Sequence, residues 1–594
     1  MVSLLTAGRS IEWTSMMKRV AIARSLIKHS IARFALSGFA LAVGLQPASA
    51  GEPRIVNIYN FVRNSDYRMP NSENVLYETT RRQIELMKGA CLPATWALQY
   101  DALINPRYQK LFKEQLGSQD EISAWWEIPQ PLAEKAGLKW RGEHEWDSAA
   151  NVGFAPGYTP EERRKLVDIY MADFRSVFGS YPRTVGSWFI DEVTLDYMAR
   201  RYGIVASCNC KDQVGTDGYT LWGGYWNQAY YPSRLDSYMP AQTKAGQINV
   251  PIFRMLGSDP IYQYGNSPGM FTLEPVYPNA GGSAEWVAWF MDNLIHQPSL
   301  AFGYTQAGQE NAFGWEAMKT GLTLQVALLA KQAKAGEIRI ETLAQAGQWF
   351  RDRYSLTPAT AVVCLDDWKH ENRKTVWYDS RFYRLNVLWE DGAFFIRDLH
   401  RFDESIVAKT HDCALTARSL SYETEPVMDG ALWSGDRRAG IWPVLLSAGG
   451  KTAPLTPEGP AVVKELNRTD LSITQPLRGG GTFTMVCRET DINCSGVDAQ
   501  GQPLPWAWEL VGGARQGSCV KMVTTNSVGY LYDGMKYELG LSPESGPCQQ
   551  LADGAIRLCA NRFGKLGLLL GASVPAATAT IDTANSNNNP RKPL

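Results

Sequence analysis

Histidine is scarce in this chain, six in 594 residues, and His29 falls in the N-terminal leader-like segment. Up to residue 315 no two histidines stand at H-x3-H or a comparable spacing, so no paired-imidazole metal motif is present there. Excess charge of either sign is also lacking. The 59 Lys and Arg against 60 Asp and Glu leave a net charge of −1, with no basic stripe, and nucleic acid is not an expected partner. After the leader no segment is apolar enough to span a bilayer. No Gly-rich phosphate loop follows the first strand-like run, so nucleotide binding has no motif behind it and no cofactor is expected. The ten cysteines include "CNC" at Cys208 and Cys210, but no second pair at metal-ligand spacing accompanies it.

What the chain does have is aromatic side chains, 20 Trp and 26 Tyr, many in Gly/Pro-rich loops. Such rings suit sugar faces; a large, well-packed core would use them too. At the N-terminus, "MKRVAIARSLIKHSIAR", "FALSGFALAVGL" and "QPASA" follow the basic, apolar and A-x-A order of a secretory signal over residues 1–50. Met17 is a plausible start. The expected location is periplasmic or secreted, where Cys487, Cys494, Cys519, Cys548 and Cys559 could pair.

Seven short apolar runs punctuate residues 51–315: "RIVNIYNF", "ATWALQY", "EISAWWEI", "TVGSWFI", "GIVAS", "VPIFRML" and "SLAFGYT". Segments with apolar residues at three- and four-residue spacing separate most of them, several ending at Gly. Thr159 before Pro160, Glu161 and Glu162 is favourable helix-start chemistry. The expected fold class is α/β, a seven-stranded parallel (β/α)7 barrel with closing helices over 51–358. From about 359 strand-like segments with turn signals predict a β-sandwich to 573, and the polar tail 574–594 is expected to be disordered.

In parallel α/β architectures chemistry sits at the C-terminal ends of the strands. Asp66 follows the first run, Asp101 the second, Glu127 ends the third, and Asp191 and Glu192 end the fourth. Gln306 and Glu310 follow the seventh. Glycosidic cleavage needs one carboxylic acid to protonate the leaving oxygen and a second carboxylate to attack the sugar or activate water. Strands four and seven lie roughly opposite in a seven-strand ring, so Asp191 and Glu310 are the expected pair, with Glu192 as a substitute for Asp191. Asp66, Asp101 and Glu127 are expected to bond sugar hydroxyls, as is Gln306. Trp188 and the loop aromatics Trp222, Tyr225, Trp226, Tyr230 and Tyr231 are expected to stack on sugar rings, with Asn227 and Gln228 beside them. The plainer alternatives are a helix-dipole role for Asp191 and a hydrophobic plug for the loop. A zinc held by Asp66, Glu127 and His144 is a further alternative that the spacing does not demand.

Over residues 54–315 the chain resembles the (β/α)7-barrel superfamily of polysaccharide deacetylases and family 57 and family 38 glycoside hydrolases. "GSWFID" resembles the Trp-x-Pro-Glu stretch of family 57, with Trp188 and Asp191 in place and Ile190 where Pro is usual. Glu310 matches that family's proton donor after strand seven, where Asp is usual. The resemblance implies a metal-free, retaining glycosidase with Asp191 as nucleophile and Glu310 as acid. The deacetylase branch requires an Asp-His-His metal set; Asp66 stands for its Asp, but "WWEIPQP" has no histidine, and the H-x-D motif of family 38 is missing too. The reading is a glycoside hydrolase acting on a carbohydrate substrate; a deacetylase with an atypical metal site and a non-catalytic carbohydrate-binding protein are the alternatives.

Overall fold

Seven strands run parallel in the N-terminal half: β1 Arg54–Val62, β2 Thr95–Leu98, β3 Glu121–Trp125, β4 Thr184–Gly186, β5 Ala206–Asn209, β6 Ile252–Arg254 and β7 Gly303–Ala307. Their order in the sheet is β7-β1-β2-β3-β4-β5-β6. The structure is a computed structural model describing residues 52–571 apart from 266–268, 448 and 450. The expected leader and tail lie outside the described residues.

These strands read as near-continuous apolar runs because both faces are covered; in β1 only Arg54 is not fully buried. Its two buried asparagines hold neighbouring segments in place. Asn57 Nδ2 donates to Glu341 O at 2.7 Å, and Asn60 Oδ1 accepts from Gln309 N at 3.2 Å. The helix Pro160–Phe178 starts at the Thr159–Glu162 capping box and stops at Gly179, whose φ is 83°.

The expected barrel of seven parallel strands needs correction in strand count and pairing. The sheet has nine strands: Arg339–Glu341 pairs parallel with β1, and Ala229–Tyr230 lies antiparallel beside β6. The loop after β5 returns as this extra strand and takes the edge of β6 that β7 would have paired. No ladder joins that edge to β7; Gln228 Nε2 reaches Tyr304 O across the seam at 3.4 Å.

Beyond Thr360 the chain forms two antiparallel sheets, one of ten strands and one of eight. They share a core in which Leu385, Val387 and Trp508 of the first meet Ile473, Phe483 and Leu568 of the second. In the eight-stranded sheet burial alternates residue by residue, leaving an outer face to solvent. A third, small sheet ties this region to the barrel: Leu420–Glu423 pairs parallel with Tyr219–Trp222, which is hairpinned to Gln213–Thr216. The hairpin turn is Asp217–Gly218, both at positive φ (46° and 72°), as a primed turn demands. Barrel and sheets belong to one compact unit.

Candidate active site

A cleft of about 380 Å³ opens at the C-terminal ends of the barrel strands. Arg63 and Asp66 come from the loop after β1, Trp188 from that after β4, and Tyr219 from the hairpin after β5. Glu274 and Tyr277 follow β6, and Glu310 follows β7.

The ends of β1 and β7 are locked together, which fixes these groups. Asn311 Oδ1 accepts from Arg63 N at 3.0 Å while Asn311 Nδ2 donates to Arg63 O at 2.8 Å. Gln83 Nε2 donates to Gln309 O at 2.8 Å. Gly308 is required there: its φ is 101°, and a Cβ would lie 2.3 Å from Tyr59 O.

Arg63 is the hub. It is 1% exposed, and its guanidinium lies 4.2 Å from the Trp146 ring centroid. It donates to both oxygens of Glu127, at 3.2 and 2.9 Å. Its Nη1 lies 3.5 Å from Asp66 Oδ2 and 3.3 Å from Glu310 Oε2. A buried guanidinium is tolerated because carboxylates surround it.

The two carboxyls that share Nη1 are shifted in opposite directions. Burial pushes Glu310 up to about 8, against the charges of Arg63 and Arg68, and the nearby Glu127 and Glu274 push the same way. Glu310 lines the cleft, and its buried Oε2, beside Arg63, has no hydrogen-bond partner among the described residues. Asp66 is the opposite case. Burial acts to raise it, but hydrogen bonds from Arg68, at 2.9 and 2.7 Å, and the charge of Arg63 outweigh that and hold it below the usual carboxylate range. Glu274 is raised by burial and accepts from Thr272 Oγ1 at 2.8 Å.

The other expected site residues are placed as follows. Asp191 does not line the cleft. It is 0% exposed, caps the helix Glu192–Tyr202 by accepting from Thr194 N at 3.0 Å, and pairs with the equally buried Arg163 at 3.0 Å. The structure therefore does not bring Asp191 and Glu310 together across a mouth. Glu192 is buried against His411 Nδ1 at 2.9 Å, outside the cleft. Asp101 accepts from the backbone N of Asn64, Ser65 and Ala102, so it holds the loop that carries Asp66; burial pushes it up to about 7. Glu127 holds Arg63. Gln306 is buried within β7, opposite Asn57.

Trp188 lines the cleft, edge-on to Phe61 and Trp125. The aromatic loop does not. Trp222 Nε1 donates to Asp429 Oδ2 at 2.6 Å, and Trp226 stacks on Trp377 at 3.8 Å with 2° between the planes. Tyr225 OH donates to Pro358 O, Tyr230 OH to Ser237 O and Tyr231 OH to Tyr354 O. Asn227 donates to Ser258 O at 2.8 Å. These rings are buried, Trp222 and Trp226 against the sandwich and Tyr230 and Tyr231 within the N-terminal half, so they plug the fold and offer no exposed platform for a sugar.

A metal does not fit the donors named for it. The Arg63 guanidinium stands between Asp66 and Glu127, and His144 is stacked on Tyr67 at 4.2 Å. Among the described residues no group of three or more His, Cys, Asp or Glu is arranged to hold a metal ion. The functions of Arg63, Arg68, Glu274 and Tyr277 were not assigned from sequence. A lone arginine directly after a buried strand, amid strand-end acids, was the available signal for Arg63.

No family model and no curated protein matches the chain. Among solved structures, a glycoside hydrolase/deacetylase candidate from Parabacteroides distasonis is similar at 14% identity and TM-score 0.48, over 63% of this chain and 91% of that one. A polysaccharide deacetylase candidate from Mycobacterium smegmatis is similar at 11% identity and TM-score 0.33, over 55% and 97%. A glycosyl hydrolase family 38 protein from Enterococcus faecalis is similar at 8% identity and TM-score 0.20, over 88% and 86%.

Proposed function

We propose that the chain is a glycoside hydrolase, with Glu310 as general acid and Asp66 as its ionised partner. One observation carries the reading: within one barrel-mouth cleft, two carboxyls bridged by a single arginine nitrogen are pushed to opposite protonation states. At neutral pH Glu310 keeps its proton and Asp66 keeps its charge. That is the division of labour glycosidic cleavage requires. Glu310 delivers its proton to the leaving oxygen. Asp66 stabilises positive charge on the sugar ring and either attacks the anomeric carbon or activates water.

Both contacts come from Nη1, so the Asp66 and Glu310 oxygens are at most 6.8 Å apart, the sum of the 3.5 and 3.3 Å distances. That bound admits the separation of about 5–5.5 Å for retention and the lower end of about 6.5–9.5 Å for inversion. Trp188, Tyr219 and Tyr277 supply aromatic wall for sugar faces. The leader-like N-terminus supports a periplasmic or secreted location as part of the same proposal.

The test is release of new reducing ends from a polysaccharide panel by wild type, Glu310→Gln and Asp66→Asn, with folding checked by near-UV circular dichroism. Release by wild type and loss in both variants is the expected result. Acetate release without reducing ends, or full activity in Glu310→Gln, would overturn the proposal.

A further inference from the structure

The outer face of the eight-stranded sheet carries a groove that neither folding nor the barrel cleft accounts for. Its rows follow from strand register: Asn493 lies opposite Gly567, and Ser495 opposite Lys565. In these strands the alternate residues Ile492, Cys494, Leu566 and Leu568 are buried in the core, so Asn493, Ser495, Lys565 and Gly567 face outward. Gly567 lies in the floor, closely flanked by neighbouring side chains. A Cβ there would lie 2.7 Å from Ser542 Oγ and 2.9 Å from Asn493 Oδ1. The resulting groove has a volume of about 270 Å³ and continues into a shallow depression of about 600 Å³, the two sharing Glu544 and Lys565.

Phe563 stands on the wall of that depression and is 57% exposed, more than any other large apolar side chain among the described residues. It is not a loose loop tip. Asn561 Oδ1 accepts from Phe563 N at 2.8 Å and from Lys565 N at 3.1 Å. Gly564, next in the chain, is at φ 68° and its carbonyl accepts from the buried Trp506 Nε1 at 2.8 Å. Folding thus holds an apolar ring out in water at a cost it does not recover by burial. A ring already fixed in place loses little further entropy when a ligand stacks on it.

The charges around the ring choose the ligand. The Arg562 guanidinium lies 4.8 Å from the Phe563 centroid, and Lys565 flanks the groove. Arg488 is already paired with Asp470 and Asp491, at 3.6 and 3.4 Å. Arg562 and Lys565 therefore outnumber the one lining acid, Glu544.

We infer that this face is a second carbohydrate-binding site, distinct from the cleft, which takes a polysaccharide chain bearing carboxylates. A sugar ring stacks on Phe563, its carboxylates meet Lys565 and Arg562, and its hydroxyls meet Asn493, Ser495 and Glu544. The inference rests on the reading that the cleft acts on a carbohydrate, and it adds a surface that holds the polymer near that cleft's protein.

The experiment is affinity gel electrophoresis of the full chain carrying Glu310→Gln, with polygalacturonate or dextran cast in the gel. Polygalacturonate should retard the protein and dextran should not. Phe563→Ala and Lys565→Glu should each weaken the retardation about tenfold or more, while Phe563→Trp retains it. No retardation by polygalacturonate, or equal retardation of Phe563→Ala, overturns the inference. Equal retardation by single-stranded DNA would mark a general polyanion surface and also overturn it. Failure of the hydrolase reading is seen separately, as no reducing ends from wild type while Phe563-dependent retardation persists.

Discussion

Two sets of carboxylates sit at strand ends of the same barrel and have opposite fates. Asp191 and Glu192, after β4, are fully buried; Asp191 is bound by Arg163 and a helix N-terminus, Glu192 by His411. Glu310 and Asp66, after β7 and β1, line a cleft. A strand-end position is common to both. What separates them is access: Asp66 and Glu310 line the cleft, whereas Asp191 and Glu192 are sealed off from it. Asp191 is enclosed by structure, whereas Glu310 lines the cleft with its carboxyl pushed up by burial.

That contrast can be broken most forcefully from the structural side. Asp191→Ala leaves Arg163 buried without its counter-charge and is expected to cost about 3–5 kcal/mol of stability, read by urea unfolding. Trp226→Ala, which empties the stack on Trp377, is expected to cost about 3–5 kcal/mol as well. A site made of these residues would instead lose activity with stability intact. Glu310→Gln reverses the pattern: activity is expected to fall about 10²–10⁴-fold, with no loss of unfolding free energy. Next in size, Trp188→Ala should raise KM about tenfold and change kcat less, measured on whichever polysaccharide the panel identifies.

The last expected effect is a pH slope. Glu310 is raised from the ordinary glutamate value of 4.5 to about 8 on folding, so the folded state binds the extra proton between those values. Its contribution to stability is complete below about 4.5 and is lost as pH rises through about 8. Glu310→Gln lacks this term. Its melting temperature should therefore gain on wild type as pH rises across that window, and wild-type activity should fall above about pH 8 as the acid loses its proton.

Local pattern made much of the barrel legible. Apolar runs separated by 3.6-period segments correspond to β1 to β7, and Thr159 with Glu162 forms the helix start expected of it. Partners far away in the chain were not legible. Arg163 meets Asp191 from 28 residues upstream. Trp226 finds Trp377 in the other half of the chain, and the ring count in "LWGGYWNQAYY" cannot distinguish a plug from a platform. The extra strand Ala229–Tyr230 is two residues long, too short for periodicity to register. Arg63 was visible as a residue but not as a hub, because Glu127, Asp66 and Glu310 converge on it only through the parallel order of β3, β1 and β7.

The central claim is that the acid chemistry lies at the end of β7 and not at the end of β4. The most direct measurement compares reducing-end release by Asp191→Asn and Glu310→Gln at matched folded concentration. Asparagine still caps a helix, so Asp191→Asn removes the charge while keeping the cap. Retained release in Asp191→Asn with loss in Glu310→Gln is the predicted result. Loss in Asp191→Asn with the fold intact, alongside retained release in Glu310→Gln, would contradict it.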